Sequence, residues 1–338
     1  MTNMRICIFG AGAIGGFLGG MLGAAGHEVS LLARGRHLDV LKSNGLTLET
    51  GGRRLVSRPR VSDRPQDLGP QDCVIVTVKS PALPAVLRTI SPLLGPDTTL
   101  VSAMNGIPWW FFHGLDGRQR GRVLKSVDPD GALNAALDIR RIVGCVVHVG
   151  CSVPEPGVVR HASGNHFILG PAAGGESEAC QALTRAFQAA GLKAEPSTRI
   201  QQDIWMKFLG NMSMGPVSVL TGSTLLAIAQ DPGARRVCID MMTEAIAVGT
   251  AFGLDPGMTP ERRIDLGAEL GHFKTSMLQD FEKKRPMEID TFLSAPIEMA
   301  DIAGVPVPTT ETVRDLIVHK ARVAGIYPPA PGAALPGS

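Results

Sequence analysis

Apolar residues form short unbroken runs in the first half of the chain and recur at helical spacing in the second. Residues 4–9 predict a buried strand. A turn over Gly10–Gly16 and a small-residue helix from Phe17 to Ala25 follow. Gly26-His27 ends that helix, and Val29–Ala33 reads as a second strand. The three elements make one β-α-β unit. Cys73–Val78 and Thr99–Ala103 are continuous apolar runs, the pattern of parallel strands covered on both faces. Val143–Val149, Gly157–His161 and His166–Leu169 read as further strands at the domain edge. After Glu176 helical patterns take over, with Trp205, Phe208, Leu209 and Met212 on one apolar face. Asp231-Pro232 is an N-cap followed by proline at the first helical position, and that helix runs to about Phe252 with Gly253 as its stop. Thr259-Pro260 opens the next helix, which Pro286 breaks; another runs to Ala303-Gly304, and a last one spans about Thr310–Ala324.

The glycines of the first turn give this pattern a chemistry. Gly10-Ala11-Gly12-Ala13-Ile14-Gly15 is a G-x-G-x-x-G between a strand and a helix, the context in which it cradles a dinucleotide. Gly10 permits the tight turn, Gly12 lets the backbone approach a pyrophosphate, and Gly15 lets helix and strand pack closely. The fold class is therefore α/β: an N-terminal Rossmann-type doubly wound sheet plus an all-helical C-terminal domain. The expected domains are 1–198 for the dinucleotide, 199–326 for the helical catalytic and substrate part, and a disordered tail over 327–338, rich in Pro, Ala and Gly. Residues 6–26 carry no charge and resemble a signal peptide or membrane span, but the glycine register favours the nucleotide-binding start.

Composition narrows the partners. With 33 basic and 31 acidic residues the formal net charge is +2, which gives no general attraction to nucleic acid or anionic membranes. Aromatics at 4% argue against a base-stacking surface. The six cysteines are scattered without zinc spacing and read as buried, reduced thiols of a cytoplasmic protein. No histidine begins a metal motif, so no metal is expected. The expected partner is a small-molecule substrate, with a homodimer left open.

At the end of the second strand an NAD-binding protein usually places an acid on the ribose hydroxyls. Here Ala33-Arg34-Gly35-Arg36 has none, and the planar fork of Arg34 suits a 2′-phosphate. NADPH is thus the expected cofactor, with Arg36 as a second basic group and a solvated basic loop as the alternative. Lys79 and Asn105 each follow a predicted parallel strand, at the edge where such sheets bind ligands. Lys207 and Asn211 share a helix face at i and i+4. A lysine there could protonate a nascent alkoxide, or merely pair with Asp203 at i−4. Glu288 follows Pro286 near a helix start, where a carboxylate is favourable whatever its function. Ser276, near the end of the preceding predicted helix, could hold a substrate carboxylate or face water.

The ordered series formed by the glycine loop, Val78-Lys79, Asn105-Gly106, Trp205-x-Lys207-x-x-x-Asn211 and Ser276-Met277-Leu278-Gln279-Asp280 through Glu288-Ile289-Asp290 resembles the ketopantoate reductase (2-dehydropantoate 2-reductase) family. The resemblance runs to about Ala324. It implies a Rossmann domain plus a helical domain with the active site in the cleft between them. It also implies NADPH-dependent reduction of 2-dehydropantoate, or of a close analogue, to the 2-hydroxy acid. By resemblance Lys207 is the general acid, and Glu288 supports the proton network and the substrate hydroxyl. Asn211 and Ser276 hold the substrate, and Lys79 and Asn105 lie near the nicotinamide, Asn105 also touching substrate. Two departures point to a paralogue acting on a different oxo acid. Gly215 stands where the family has a second asparagine, and Trp109-Trp110 open a long segment reaching to about Leu137, expected to add apolar bulk to the pocket. A non-catalytic NADPH sensor is the alternative from another class.

Overall fold

The first apolar run forms β1 (Arg5–Phe9), buried from its second residue onward. The chain is described from a computed structural model for residues 3–329. After β1 come α1 (Ala13–Ala24), β2 (Glu28–Leu32), α2 (Gly35–Asn44), the hairpin β3 (Leu46–Thr50) and β4 (Arg53–Ser57), and a short β5 (Arg60–Ser62). Then follow β6 (Gln71–Val76), α3 (Leu83–Thr89), β7 (Leu94–Ser102), α4 (Ala132–Ala136), β8 (Ile142–Glu155), β9 (Val158–Pro171), α5 (Glu178–Ala189) and β10 (Lys193–Pro196). The ten strands form one sheet in the order β4-β3-β9-β8-β7-β6-β1-β2-β5, with β10 paired to β9. β2 and β6 flank β1 on opposite sides and both run parallel to it. The chain therefore reverses its winding at β1, and that switch point opens a crevice at the carboxyl ends of the strands.

The sequence pattern placed three short strands at the domain edge; the structure has two long ones inside the sheet order. β8 and β9 are 14 residues each and pair antiparallel. The middle of β9, Arg160–Asn165, is polar and largely exposed, so it carries no apolar signature, and its pairing with β8 holds it in the sheet. Its far edge is shared by β3, opposite Val158–Arg160, and β10, opposite His166–Leu169.

Helix α1 explains the uncharged stretch over 6–26. A Cβ on Gly15 or Gly19 would lie 2.8 Å from Ile8 or 2.9 Å from Leu31, on β1 and β2. A Cβ on Gly16 or Gly20 would lie 2.5 Å from Val159 or 2.9 Å from Leu48, on β9 and β3. Two rows of glycine thus let sheet side chains close on α1 from two sides, with Phe17, Leu18 and Leu22 almost fully buried. Its apolarity answers to a protein core. No helix among the described residues is long and apolar enough to cross a membrane.

The chain divides into two compact units. One takes in the described residues up to Gly114, Gln119–Arg122 and Gly131–Asp203; the other takes in Leu115–Arg118, Val123–Asp130 and the described chain from Ile204. The cut falls within α6 (Ile200–Thr221), after which come α7 (Leu225–Gln230), α8 (Pro232–Ala251), α9 (Pro260–Ala268), α10 (Ser276–Glu282), a π-helical turn Asp290–Ser294, α11 (Ala295–Ala303) and α12 (Pro308–Val323). The single helix expected between Thr259 and Pro286 is two. Gly271 takes a left-handed φ of +67°, and Thr275 caps a new helix by accepting from Leu278 N at 3.2 Å. Ser276, expected near a helix end, is therefore the first residue of α10. Of the tail expected to be disordered, residues 330–338 lie outside the described residues, while Tyr327 donates from its hydroxyl to Asp290 at 2.8 Å.

Candidate active site

In the first unit, the carboxyl ends of β2, β1, β6 and β7 lie side by side and carry the predicted cofactor residues. Gly10 has φ +110°, a conformation that glycine alone adopts readily, and a Cβ there would lie 2.8 Å from Val78 Cγ1. The amides of Gly10 and Ala11 donate to Leu32 O at 3.2 and 3.1 Å, and Thr77 Oγ1 donates to Gly10 O at 2.7 Å, so the loop is tied to both neighbouring strands. At Gly15 a Cβ would come 2.1 Å from Gly10 O, which only glycine avoids. At Gly12 it would meet nothing within 4 Å, so the approach there is bare. α1 has no side-chain cap and no acid in its first turn, leaving the amides of Ala13, Ile14 and Gly15 to face an anion without competition. These features fit a dinucleotide pyrophosphate.

Arg34 occupies the N-cap position of α2, immediately past β2, and Arg34, Gly35 and Arg36 are all exposed. Lys79 and Asn105 follow β6 and β7 and are half-buried. Sequence reasoning missed His37. Its Nε2 is 2.7 Å from Ala11 O, and its Nδ1 accepts from Gly157 N at 3.1 Å. With Nδ1 accepting, Nε2 is the donor, and the ring bridges the glycine loop to the segment before β9. The partners are 26 and 120 residues away, so no local pattern marks it.

The aromatic segment after Asn105 is buried. Trp109, Trp110, Phe111 and Phe112 are almost fully buried. The Trp110 ring lies where a Cβ on Gly144 of β8 would meet it at 2.5 Å, and Trp109 and Trp110 wall a cavity of about 160 Å³ with His113 and Asn134. Trp110 thus packs against β8 within the first unit. Further along, Lys125 and Ser126 donate their amides to the two carboxylate oxygens of Glu298 on α11, each at 2.8 Å, within the second unit.

In the second unit α6 carries Lys207 and Asn211 on one half-buried face, while Trp205, Phe208, Leu209 and Met212 are buried on another. Two segments dock on this helix. Phe292 stacks on Phe208 with ring centroids 6.2 Å apart, which brings the turn after Glu288 to the residue beside Lys207. Glu288 is only 7% exposed, and its carbonyl accepts from Phe292 N and Thr291 Oγ1, both at 3.2 Å. Farther along α6, Ser218 Oγ and Thr275 Oγ1 are 2.5 Å apart, so the start of α10 with Ser276 packs here. A Cβ on Gly215 would meet only Met277 Cβ, at 3.9 Å, so Gly215 leaves room beside Met277. All four residues predicted for the chemistry thus belong to α6 or to segments packed on it. Asp203, the ion-pair partner that spacing offered Lys207, accepts from Ser197 Oγ, and burial pushes its carboxyl above the usual range. An amine, a buried carboxylate, an amide and a hydroxyl on such a frame suit binding and protonation of a small polar molecule.

Comparison with known proteins finds relatives over nearly the whole chain. The family model described as ketopantoate reductase PanE/ApbA matches residues 6–174, and that of the ketopantoate reductase PanE/ApbA C terminal matches 199–321. A 2-dehydropantoate 2-reductase of Mesorhizobium japonicum is 42% identical over 325 residues, covering 96% of this chain and all of the relative. A solved structure from Ralstonia solanacearum MolK2 is 44% identical with a TM-score of 0.91, covering 96% of this chain and all of that one. A PanE/ApbA family ketopantoate reductase from Ralstonia eutropha JMP134 is 26% identical with a TM-score of 0.82, covering 95% and 100%.

Proposed function

The chain belongs to the ketopantoate reductase family of NADP-dependent oxidoreductases, and from that premise we propose that it reduces 2-dehydropantoate, or a close analogue, to the 2-hydroxy acid at a site built on Lys207 and Glu288. The observation that carries this reading is the docking of the Glu288 turn on α6 through Phe292 and Phe208, beside Lys207. NADPH, when bound, supplies the hydride. The glycine loop receives its pyrophosphate, Arg34 pairs with its 2′-phosphate, and Lys79 and Asn105 line the nicotinamide end. Asn211 and Ser276 orient the oxo acid by hydrogen bonds, with Asn105 as a further contact.

Lys207 gives a proton from Nζ to the carbonyl oxygen as charge develops there, which both neutralises and stabilises the alkoxide. Glu288 holds the ammonium and the substrate hydroxyl in place. Its carboxylate is nearly buried, so its attraction for the ammonium is screened less than on the surface.

Gly215 favours a second reading, in which the best substrate is a different 2-oxo acid with a larger apolar substituent. The family's second asparagine is missing there, and the space beside Met277 is open. A lost substrate hydrogen bond costs about 1–3 kcal/mol, roughly ten- to hundredfold in efficiency. A panel of 2-oxo acids with NADPH consumption as readout separates the two. Highest kcat/KM for 2-dehydropantoate supports the first reading, highest kcat/KM for a bulkier acid supports the second, and no turnover of any oxo acid overturns both.

A further inference from the structure

Arg263 has no part in the chemistry above, yet it is placed against the turn of α6 that carries Lys207. Two close approaches lay α9 along α6. A Cβ on Gly210 would come 2.7 Å from Arg263 Nε, 3.2 Å from Nη2 and 3.3 Å from Cζ, so the guanidinium takes the space that a side chain on Gly210 would fill. One turn on, a Cβ on Gly267 would meet Met214 Cε at 2.9 Å. Arg263 Nη2 donates to the Lys207 carbonyl at 3.1 Å. Among the described residues Arg263 has no carboxylate partner, and its Nε is buried without an acceptor. Burial pushes its pKa below the ordinary arginine value.

Arg263 is half-buried; a cation drawn partly out of water without a counter-ion is costly, and an apolar side chain of similar volume would fill the same groove at less cost. What arginine adds is a donor on a carbonyl of α6 and a rigid planar group in the space beside Gly210. At 100° per residue Gly210 lies about 60° from Lys207 around the helix, and Asn211 about 40° on the other side. The guanidinium therefore flanks the face that presents Lys207 and Asn211, away from the Phe208–Met212 core face.

We propose that Arg263, seated on Gly210, is a positioning residue that fixes the Lys207 turn of α6. The proposal rests on the reading of Lys207 as the proton donor. It also assigns Gly210 a purpose, since any side chain there would unseat the guanidinium.

The test is a double-mutant cycle with Gly210→Ala and Arg263→Ala in the full chain, reading Tm, kcat, KM for the best 2-oxo acid and NADPH affinity. In the native background Gly210→Ala is expected to lower both Tm and kcat, because its methyl displaces Arg263. In the Arg263→Ala background the same change is expected to raise Tm, since alanine is the better helix former. Arg263→Ala should lower kcat by about ten- to hundredfold, the scale of a small misplacement of a reacting group, with KM and NADPH affinity kept. Arg263→Lys should recover part of kcat, and Arg263→Met, which fills the groove without a donor, should not; this pair decides the matter if Arg263→Ala fails to fold. Equal Gly210→Ala effects in both backgrounds, or full kcat in Arg263→Met, would overturn the proposal. Full turnover in Lys207→Ala would overturn the underlying reading and the proposal with it. Lost turnover in Lys207→Ala beside native kcat in Arg263→Met would overturn the proposal alone.

Discussion

Arg34→Ala tests the cofactor assignment without disturbing the fold. Arg34 stands at the N-cap position of α2 with φ −137° and ψ 159°, extended backbone that alanine adopts equally well. Its side chain is exposed and caps nothing, so the substitution removes no native contact of that kind and should leave stability within about 0.5 kcal/mol. The loss should appear at the 2′-phosphate. Hydrogen bonds to a charged group contribute about 1.5–3 kcal/mol, which raises Kd for NADPH by about ten- to hundredfold. Arg36, exposed two residues on, keeps part of the local positive field and puts the effect toward the lower end. NADH lacks the 2′-phosphate and should bind as before. The exposed site is open to screening, so the gap between the two nucleotides should narrow as salt shortens the Debye length. Titration of native and variant protein with both nucleotides, with Tm as a control, measures this. Unchanged NADPH affinity, or an equal loss for NADH, would refute the assignment of Arg34.

Within the glycine loop and α1, the same substitution should act oppositely at two positions. Gly16→Ala drives a methyl to 2.5 Å from Val159 and should cost about 1–3 kcal/mol, read as a lower Tm, whereas Gly12→Ala meets nothing within 4 Å and should keep Tm while weakening NADPH binding. His27 accepts from Met4 N at 3.3 Å, and burial lowers its pKa from 6.5. The folded state therefore binds this proton less well than the unfolded chain, so its share of stability is full above pH 6.5 and declines as pH falls from there through the lower folded value. His27→Gln should flatten Tm across that window; an unchanged profile would rule the cause out. Tyr327→Phe removes the donor to Asp290, with an expected loss of about 1 kcal/mol in denaturant unfolding; no change would show that the bond contributes nothing.

What was legible in the chain was local. The Gly10–Gly15 loop, its flanking strands and the start of α8, where Asp231 Oδ1 accepts from Ala234 N at 2.7 Å, are short-range devices whose residues are neighbours in sequence. Lys207 and Asn211 were readable as a pair because helical spacing fixes their common face. The length of β9 was not, since its polar middle is held by pairing with β8 and carries no apolar pattern. The break between α9 and α10 is hard to read because it rests on two single residues, the left-handed Gly271 and the cap Thr275, inside an otherwise helical pattern. Trp109 and Trp110 read as pocket residues from their place after Asn105, but the room that receives Trp110 comes from Gly144, more than thirty residues away. His37 and Arg263 depend on partners that only the tertiary fold brings near.

The account turns on Lys207 delivering a proton as the oxo group is reduced. Its most direct test is the turnover of Lys207→Ala on the best 2-oxo acid, with NADPH affinity measured on the same preparation. General-acid help contributes about 10²–10⁴ in rate, so kcat should fall by that factor while NADPH binds as tightly as before. A variant that binds NADPH normally and turns over at the native rate would contradict the assignment of Lys207.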